Sequence, residues 1–507
     1  MNRSLRNLSV VFGFVGSLLI ILGVFLLIPL LLTFFFGEYA QSPLTFHSFL
    51  LAAGVALGLG IVFKISFKQH SPNIVQAIFI CSFGWIIISA VSAIPFLIAL
   101  KTNYLNAYFE TMSGFTTTGI TMFTGLDQMP KSILFWRSLI QWIGGLGILT
   151  FFLAITSQSG GAHRLFGAES HKIDVERPVP GLGNTIKILW TIYIAFTLFI
   201  ILSLKIAGCS IFDSICHSFT ALSTGGFSPY DASIAHYQLI GHPQYKLIEY
   251  ILILGMFLGG TNFIIHYRVL RGEFRAAIDT TEMRFWIGFI VVFILLILGE
   301  RYLRIIQPAN ISLSDASFWK TFEYNVRNVL FQVLAIITTT GFGTQDIASP
   351  FFGAMARQLF LVMMVIGGCV GSTGGGIKVL RISILAKLVK REIFKLFAPS
   401  RAISYVKLNK KNLNSDEIYR VSALFFAWIV LLLIGGLITA IFSKYDGYRS
   451  VSGMFSALGN IGPCYIPVAE MGQLHPVIKI TYIIGMLAGR LEIHPVLLLF
   501  SPRAWQS

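Results

Sequence analysis

Residues 8–36 run for 29 positions without a charged side chain, and comparable uncharged stretches recur as far as residue 500. A helix rises about 1.5 Å per residue, so about 20 apolar residues suffice to cross a hydrocarbon core about 30 Å thick. The first run outlasts a signal-peptide core and no small-residue cleavage pattern follows it, so it reads as a retained membrane helix, tilted or kinked at Pro29. Nine further runs, near 47–63, 74–100, 133–156, 186–206, 247–265, 285–298, 352–385, 421–442 and 477–500, bring the expected number of spans to ten. Only 12% of the 507 residues are charged, whereas soluble chains carry about 25%. An ordinary water-soluble enzyme is therefore excluded, and one continuous all-α polytopic membrane protein is expected.

The formal charge of +16 suggests nucleic acid until its distribution is considered. The basic residues lie between the apolar runs. With ten spans both ends fall on one side, and Arg3, Arg6, Lys64, Lys68, the basic residues of 164–187, those of 268–284, and Arg503 then share that side. So does segment 378–420, whose eleven basic and three acidic residues hold +8 of the total. Basic short loops stay cytoplasmic, so the charge reports topology and no nucleic-acid partner is expected. Arg301, Arg304, Lys320 and Arg327 depart from the rule on the outer side. Cys81, Cys209, Cys216, Cys369 and Cys464 show no metal-ligand spacing and read as small apolar fillers.

A short amphipathic segment ending in hydroxyls and glycine lies between successive spans on the outer side, and it occurs four times. The segments begin at Tyr108, His217, Phe331 and Met454 and reach anchor glycines Gly119, Gly226, Gly341 and Gly462, at periods of 107, 115 and 121 residues. Each unit is thus span, half-helix, loop, span. A half-helix of about ten residues is about 15 Å long and cannot cross the membrane, so it must enter and turn back. The returning strand carries backbone N–H and C=O groups at membrane depth, which is tolerated only where protein buries them or a watery cavity receives them. Four such strands around one axis can replace the water of a dehydrated cation with carbonyl and hydroxyl oxygens, and the half-helices aim their negative ends at it. Two residues before each anchor glycine stands a hydroxyl or amide: Thr117, Thr224, Thr339 and Asn460.

On these residues the chain resembles the TrkH branch of the Trk/Ktr/HKT superfamily of potassium transporters, over nearly its whole length. The resemblance implies two leading transmembrane helices plus four pseudo-symmetric repeats of helix, pore helix, filter loop and helix around a central ion pore. The expected units are 1–70 for the leading pair, then 71–180, 181–280, 281–415 and 416–507. The ion-contacting strands are then Thr117, Thr118 and Gly119; Thr224, Gly225 and Gly226; Thr339, Thr340 and Gly341; and Asn460, Ile461 and Gly462. In related plant transporters a serine at the first filter glycine goes with sodium selectivity, and Gly119 resembles the potassium-selecting state. Cys464 and His494 stand where a glycine and an aromatic are expected, and neither is an anchor.

In the third repeat the returning span is interrupted by residues 367–376, which hold six glycines and two hydroxyls and cannot form a regular helix. Lys378 is not flanked as a phosphate loop requires. A small-residue packing interface is the plainer reading, while an unwound segment beside a cavity fits the composition better. In the family the matching stretch is an intramembrane loop obstructing the path below the filter, which makes Gly371, Ser372, Thr373, Gly374, Gly375 and Gly376 a gate. Arg490 lies about ten residues up the last span, where an ionised arginine costs at least about 2.5 kcal/mol unless it faces water or a partner. Snorkelling to the cytoplasmic interface is the plainer reading, while a pore-facing arginine matches the family's Gly-Arg-Leu-Glu setting. Glu110 and Asp213 near the half-helix mouths could gather cations or simply be solvated, and His217 reads as packing.

The function implied is potassium uptake across the bacterial cytoplasmic membrane, with K+ as cargo and no bound cofactor. A secondary carrier would show inverted repeats and midplane acids, and a membrane enzyme would show a nucleophile with its base or a metal cluster. The repeats run parallel, and the histidines do not cluster. The resemblance further implies a homodimer and a cytosolic ring of nucleotide-binding, TrkA-like regulatory subunits. The basic 378–420 segment could dock that ring or attract anionic membrane lipids. The sequence is compatible with passive conduction and with proton- or sodium-coupled symport.

Overall fold

The computed structural model describes residues 3–67, 72–147, 182–306, 316–399, 403–409 and 411–506. Among these, six helices are long and apolar enough to cross a membrane: Leu8–Phe35, Pro43–Ser66, Ile74–Ala99, Gly183–Ile206, Thr281–Arg304 and Ser415–Phe442. They are the leading pair and the first span of each repeat. The leading helices cross at two glycines, where a Cβ on Gly16 would meet the carbonyl of Gly60 at 2.9 Å and the reverse also holds.

Among the described residues each of the four returning helices stops before its expected end, which corrects the expectation of uninterrupted spans at 247–265 and 477–500. Lys131–Leu146 ends at Gly147, with φ of 84°. The expected continuation to 156, the basic stretch 164–181 and the end of the first unit lie outside the described residues. Tyr245–Gly260 and Phe263–Leu270 meet at 105°. Ala354–Val365 and Val379–Phe397 flank the glycine run. Pro476–Arg490 stops before His494–Leu499, with Glu492 and Ile493 at φ of 56° and 63°.

Close backbone approach accounts for glycines just before three of these breaks. A Cβ on Gly144, Gly259 or Gly489 would strike the backbone of Phe115, Leu222 or Leu458, each four residues before an anchor glycine. The return helices are therefore pressed onto the ends of the half-helices.

Three half-helices, Tyr104–Phe115, Ile211–Leu222 and Gly447–Gly459, are 12 or 13 residues long. Each starts on a capping side chain: Asn103, Ser210 and Asp446 accept from the amides of Asn106, Asp213 and Arg449 at 2.8, 3.0 and 2.8 Å. The third, Ala316–Ile337, has 22 residues and is twice the expected length. Its added turns are held by charge. Glu323 accepts from Arg327 at 2.7 Å and from Lys246 at 2.8 Å, and Arg327 is buried against Glu249.

The outer-side arginines have partners on the protein. Arg327 is paired inside the protein, Arg301 bonds Asn325 at 2.6 Å over the Phe351 ring, and Arg304 lies 3.5 Å from Glu300. The buried, paired Arg301 and Arg327 do not oppose the loop-charge rule, while Arg304 and Lys320 are exposed and remain exceptions to it. All five cysteines are buried and free.

Candidate ion-conduction site

Each half-helix ends in the same turn. The amides of Thr117, Thr224, Thr339 and Asn460 reach back three residues, to Gly114, Ala221, Ile336 and Ala457, at 3.0, 3.1, 3.0 and 3.3 Å. The next amides, of Thr118, Gly225, Thr340 and Ile461, reach back five, at 2.8, 2.8, 2.8 and 3.0 Å. This pair of bonds is a Schellman motif, which requires a left-handed residue at its pivot. The four pivots have φ of 54°, 53°, 61° and 54°. Three are threonines, although a β-branched residue is poorly suited to that region and glycine is usual there. Strain repeated at four equivalent places marks what the side chains do next.

Two residues on, Gly119, Gly226, Gly341 and Gly462 have φ of 82°, 74°, 83° and 107°. Here the left-handed backbone and the packing both demand glycine. A Cβ on Gly119 would strike the carbonyl of Gly225, one on Gly226 that of Thr340, one on Gly341 that of Ile461, and one on Gly462 would lie 3.0 Å from that of Thr118. Each glycine therefore abuts the middle residue of the next repeat, and the fourth abuts the first. The twelve strand residues close into a ring in the order 1, 2, 3, 4.

The four glycines also floor a cavity of about 870 Å³ that includes Asp231, Asp346, Arg137 and Arg449 in its wall. Glu110 is not among its lining. It is fully buried and accepts from Arg137 at 2.9 Å, Thr121 at 2.9 Å and the amide of Met122 at 2.8 Å, bracing the strand that leaves the first glycine. A cation-gathering role is thereby replaced by a structural one. Asp213 likewise accepts from Ser210 at the helix start, at 2.7 Å. His217 packs, between Ser228 at 3.2 Å and Tyr237 at 3.3 Å.

Gln141 is a residue that sequence reasoning missed. Its amide donates to the carbonyl of Gly225 at 2.6 Å and accepts from the amide of Phe227 at 3.0 Å, clasping the second strand on both sides of Gly226.

Beneath the ring lies the glycine run. Its neck is a parallel bridge between Ile366 and Ile377, and its body is hung on neighbouring repeats. Thr373 donates to the carbonyls of Leu222 and Gly259 at 2.8 and 2.9 Å, and the Cys369 amide donates to Gly260 at 3.0 Å. The carbonyls of Gly259 and Gly260 are available because the second return helix breaks at Thr261, and that of Leu222 because its half-helix ends there. The pivot side chains meet the run from above. Thr339 accepts from the Gly375 amide at 2.7 Å, and Thr224 lies 3.2 Å from the Thr373 hydroxyl. A Cβ on Gly375 would meet that of Asn460 at 2.6 Å.

The fourth pivot contact is made by Arg490, which is half-buried. Its guanidinium reaches Thr117 at 3.3 Å, the carbonyl of Thr373 at 2.7 Å, and the carbonyls of Gly144 and Gly145 at 2.6 Å each. A snorkelling position is excluded by this geometry. Glu492, two residues on, pairs with Arg381 instead. Lys378 donates to the carbonyl of Gly374. Sequence reasoning could have located the breaks from the glycines at 144–145, 259–260, 367–368 and 489, which follow their anchors by 25, 33, 26 and 27 residues.

A family model described as a cation transport protein, TrkH, matches residues 49–507. The chain is 32% identical over 506 residues to the Trk system potassium uptake protein TrkH of Escherichia coli (strain K12), covering 97% of this chain and 98% of the relative. To the protein of the same name from Halomonas elongata it is 30% identical over 519 residues, covering 99% and 100%. The crystal structure of the potassium transporter TrkH from Vibrio parahaemolyticus superposes with a TM-score of 0.83 at 28% identity, over 98% of this chain and 99% of that one. The chain thus belongs to the TrkH family of cation transport proteins.

Proposed function

We propose that this chain takes up potassium across the bacterial cytoplasmic membrane through the ring formed by Thr117–Gly119 and its three counterparts, with the 367–376 run and Arg490 as the gate. The observation that carries the reading is the closed sequence of contacts in which each anchor glycine meets the middle carbonyl of the next repeat. Left-handed residues at the pivot and again at the glycine shape four short strands alike, and backbone oxygens so placed can stand in for the hydration shell of a cation. A half-helix ends on each strand with its negative pole toward the ring.

The gate reading is supported by what lies directly below. Thr373, Gly375 and Arg490 contact the pivots of three repeats, and the fixed positive charge of Arg490 disfavours cation occupancy at that depth. The proposed functional units remain the leading pair 1–70 and the repeats 71–180, 181–280, 281–415 and 416–507.

A homodimer and a cytosolic, nucleotide-binding TrkA-like ring complete the proposed assembly. The helix Val379–Phe397 supports a cytosolic contact, since it exposes Ile393, Phe394, Leu396 and Phe397 alongside Lys390 and Lys395. Isotope flux into liposomes containing the purified chain tests the function. Potassium and rubidium uptake well above sodium is expected, and equal uptake of the three would overturn it.

A further inference from the structure

We propose that Glu282 is a positioning residue that couples the glycine run to a cytoplasmic hairpin, so that the hairpin sets how firmly the run is held. The inference rests on the gate reading of residues 367–376. Glu282 stands in the first turn of the helix Thr281–Arg301 and is buried. Its carboxylate accepts from the amide of Val370 at 2.7 Å, inside the run. A buried carboxylate is costly unless hydrogen-bonded, and a charge-assisted bond to a backbone amide is among the strong ones. Here it fastens a segment that has lost its helical bonds.

The adjoining residue faces the other way. The amide of Thr281 donates to Asn409 Oδ1 at 2.8 Å, and Asn409 is the left-handed turn residue, φ of 45°, of the hairpin that pairs β1 (Lys407–Leu408) with β2 (Lys411–Asn412). Lys387 bridges the same two places, donating to the Lys407 carbonyl at 2.7 Å and to the Thr281 hydroxyl at 3.3 Å. The side chain of Val370 then closes the circuit. It belongs to a small apolar cluster, separate from the main core, with Leu380, Ile384, Val406, Leu408, Ile418 and Val421. One residue of the run is therefore held twice, by Glu282 through its amide and, through its side chain, by a cluster to which the hairpin contributes Val406 and Leu408. Pulling the hairpin from Thr281 loosens both attachments together.

The buried thiol of Cys369, beside Val370, gives a readout of the run that does not depend on ion flux. The full chain with Cys81, Cys209, Cys216 and Cys464 replaced by alanine carries this single thiol. Thiosulfonate labelling of Cys369 in folded, purified protein and rubidium flux in liposomes are measured for Glu282→Ala, Glu282→Gln and Asn409→Gly. The glycine keeps the left-handed turn and deletes only the amide acceptor. Losing a hydrogen bond to a charged group should raise both the labelling rate and the flux about tenfold in Glu282→Ala, while Glu282→Gln, which retains an acceptor, stays within about threefold. Asn409→Gly should move both in the same direction although it lies outside the run. Unchanged labelling in Asn409→Gly, or in a folded Glu282→Ala, overturns the coupling. Faster labelling with unchanged flux upholds the coupling and overturns the gate reading on which it rests. If Glu282→Ala does not fold, Asn409→Gly alone decides.

Discussion

Arg490 donates from Nη1 to the carbonyl oxygen of Thr373 at 2.7 Å, tying the last return helix to the middle of the glycine run. Its other nitrogen spans the carbonyls of Gly144 and Gly145, so one guanidinium joins repeats one, three and four. On the proposed gate reading the side chain acts both as a charge below the ring and as a latch. Arg490→Ala and Arg490→Gln should each raise potassium flux per folded transporter by about tenfold or more, because a hydrogen bond from a charged donor is worth about 1.5–3 kcal/mol. Lysine separates the two roles. It keeps the charge but gathers its donors on one nitrogen, so it cannot reach the acceptors that Nη1 and Nη2 hold separately, and Arg490→Lys should conduct between the parent and Arg490→Gln. If alanine and glutamine conduct no faster than the parent at equal protein density, both roles are wrong.

The four anchor glycines are not equally crowded, and serine at each should reveal it. A Cβ at Gly226 or Gly341 would overlap a neighbouring carbonyl outright, whereas at Gly462 the nearest carbonyl oxygen is 3.0 Å away. A left-handed φ adds roughly 1–2 kcal/mol for a residue with a side chain at any of them. Gly226→Ser and Gly341→Ser should lose most potassium preference and Gly462→Ser least, read as the ratio of potassium to sodium flux. Ratios unchanged in all four variants would remove the shared ring.

Much of this was legible in the sequence because its signals are periodic. Gly119, Gly226, Gly341 and Gly462 recur between apolar runs, and a run as glycine-rich as 367–376 cannot be helical. The other breaks were not read, since Gly144 and Gly145 or Gly259 and Gly260 are tolerated inside membrane helices and only the approach of Phe115 and Leu222 gives them meaning. Glu110 read as a possible mouth residue because its partner Arg137 is 27 positions away on another helix, and helical spacing says nothing about such a pair. The third half-helix was read short for the same reason, its extra turns being fixed by Lys246 and Glu249 from the preceding repeat.

Gln141 should govern the second strand specifically. Leucine in its place keeps the volume and removes both bonds, leaving the Gly225 carbonyl and the Phe227 amide without that clasp. Gln141→Leu should fold, lower the potassium-to-sodium flux ratio and leave the glycine run in place. An unaltered ratio would show that the strand keeps its course without the clasp.

Thr339 offers the sharpest test of why strained threonines occupy the pivots. Its left-handed φ of 61° is unfavourable for a β-branched residue, and its hydroxyl accepts from the Gly375 amide at 2.7 Å. Glycine would relieve the backbone and release the run at once. Thr339→Gly should therefore leave thermal stability within about 1 kcal/mol of the parent, relief of strain offsetting the lost bond, while basal potassium flux rises several-fold. Serine keeps the hydroxyl and should restore low flux. The measurements are thermal unfolding of the purified chain and flux in liposomes for Thr339→Gly and Thr339→Ser. A glycine variant that conducts like the parent, or a serine variant that leaks like the glycine one, would show that the hydroxyl does not hold the run and that the strain has another cause.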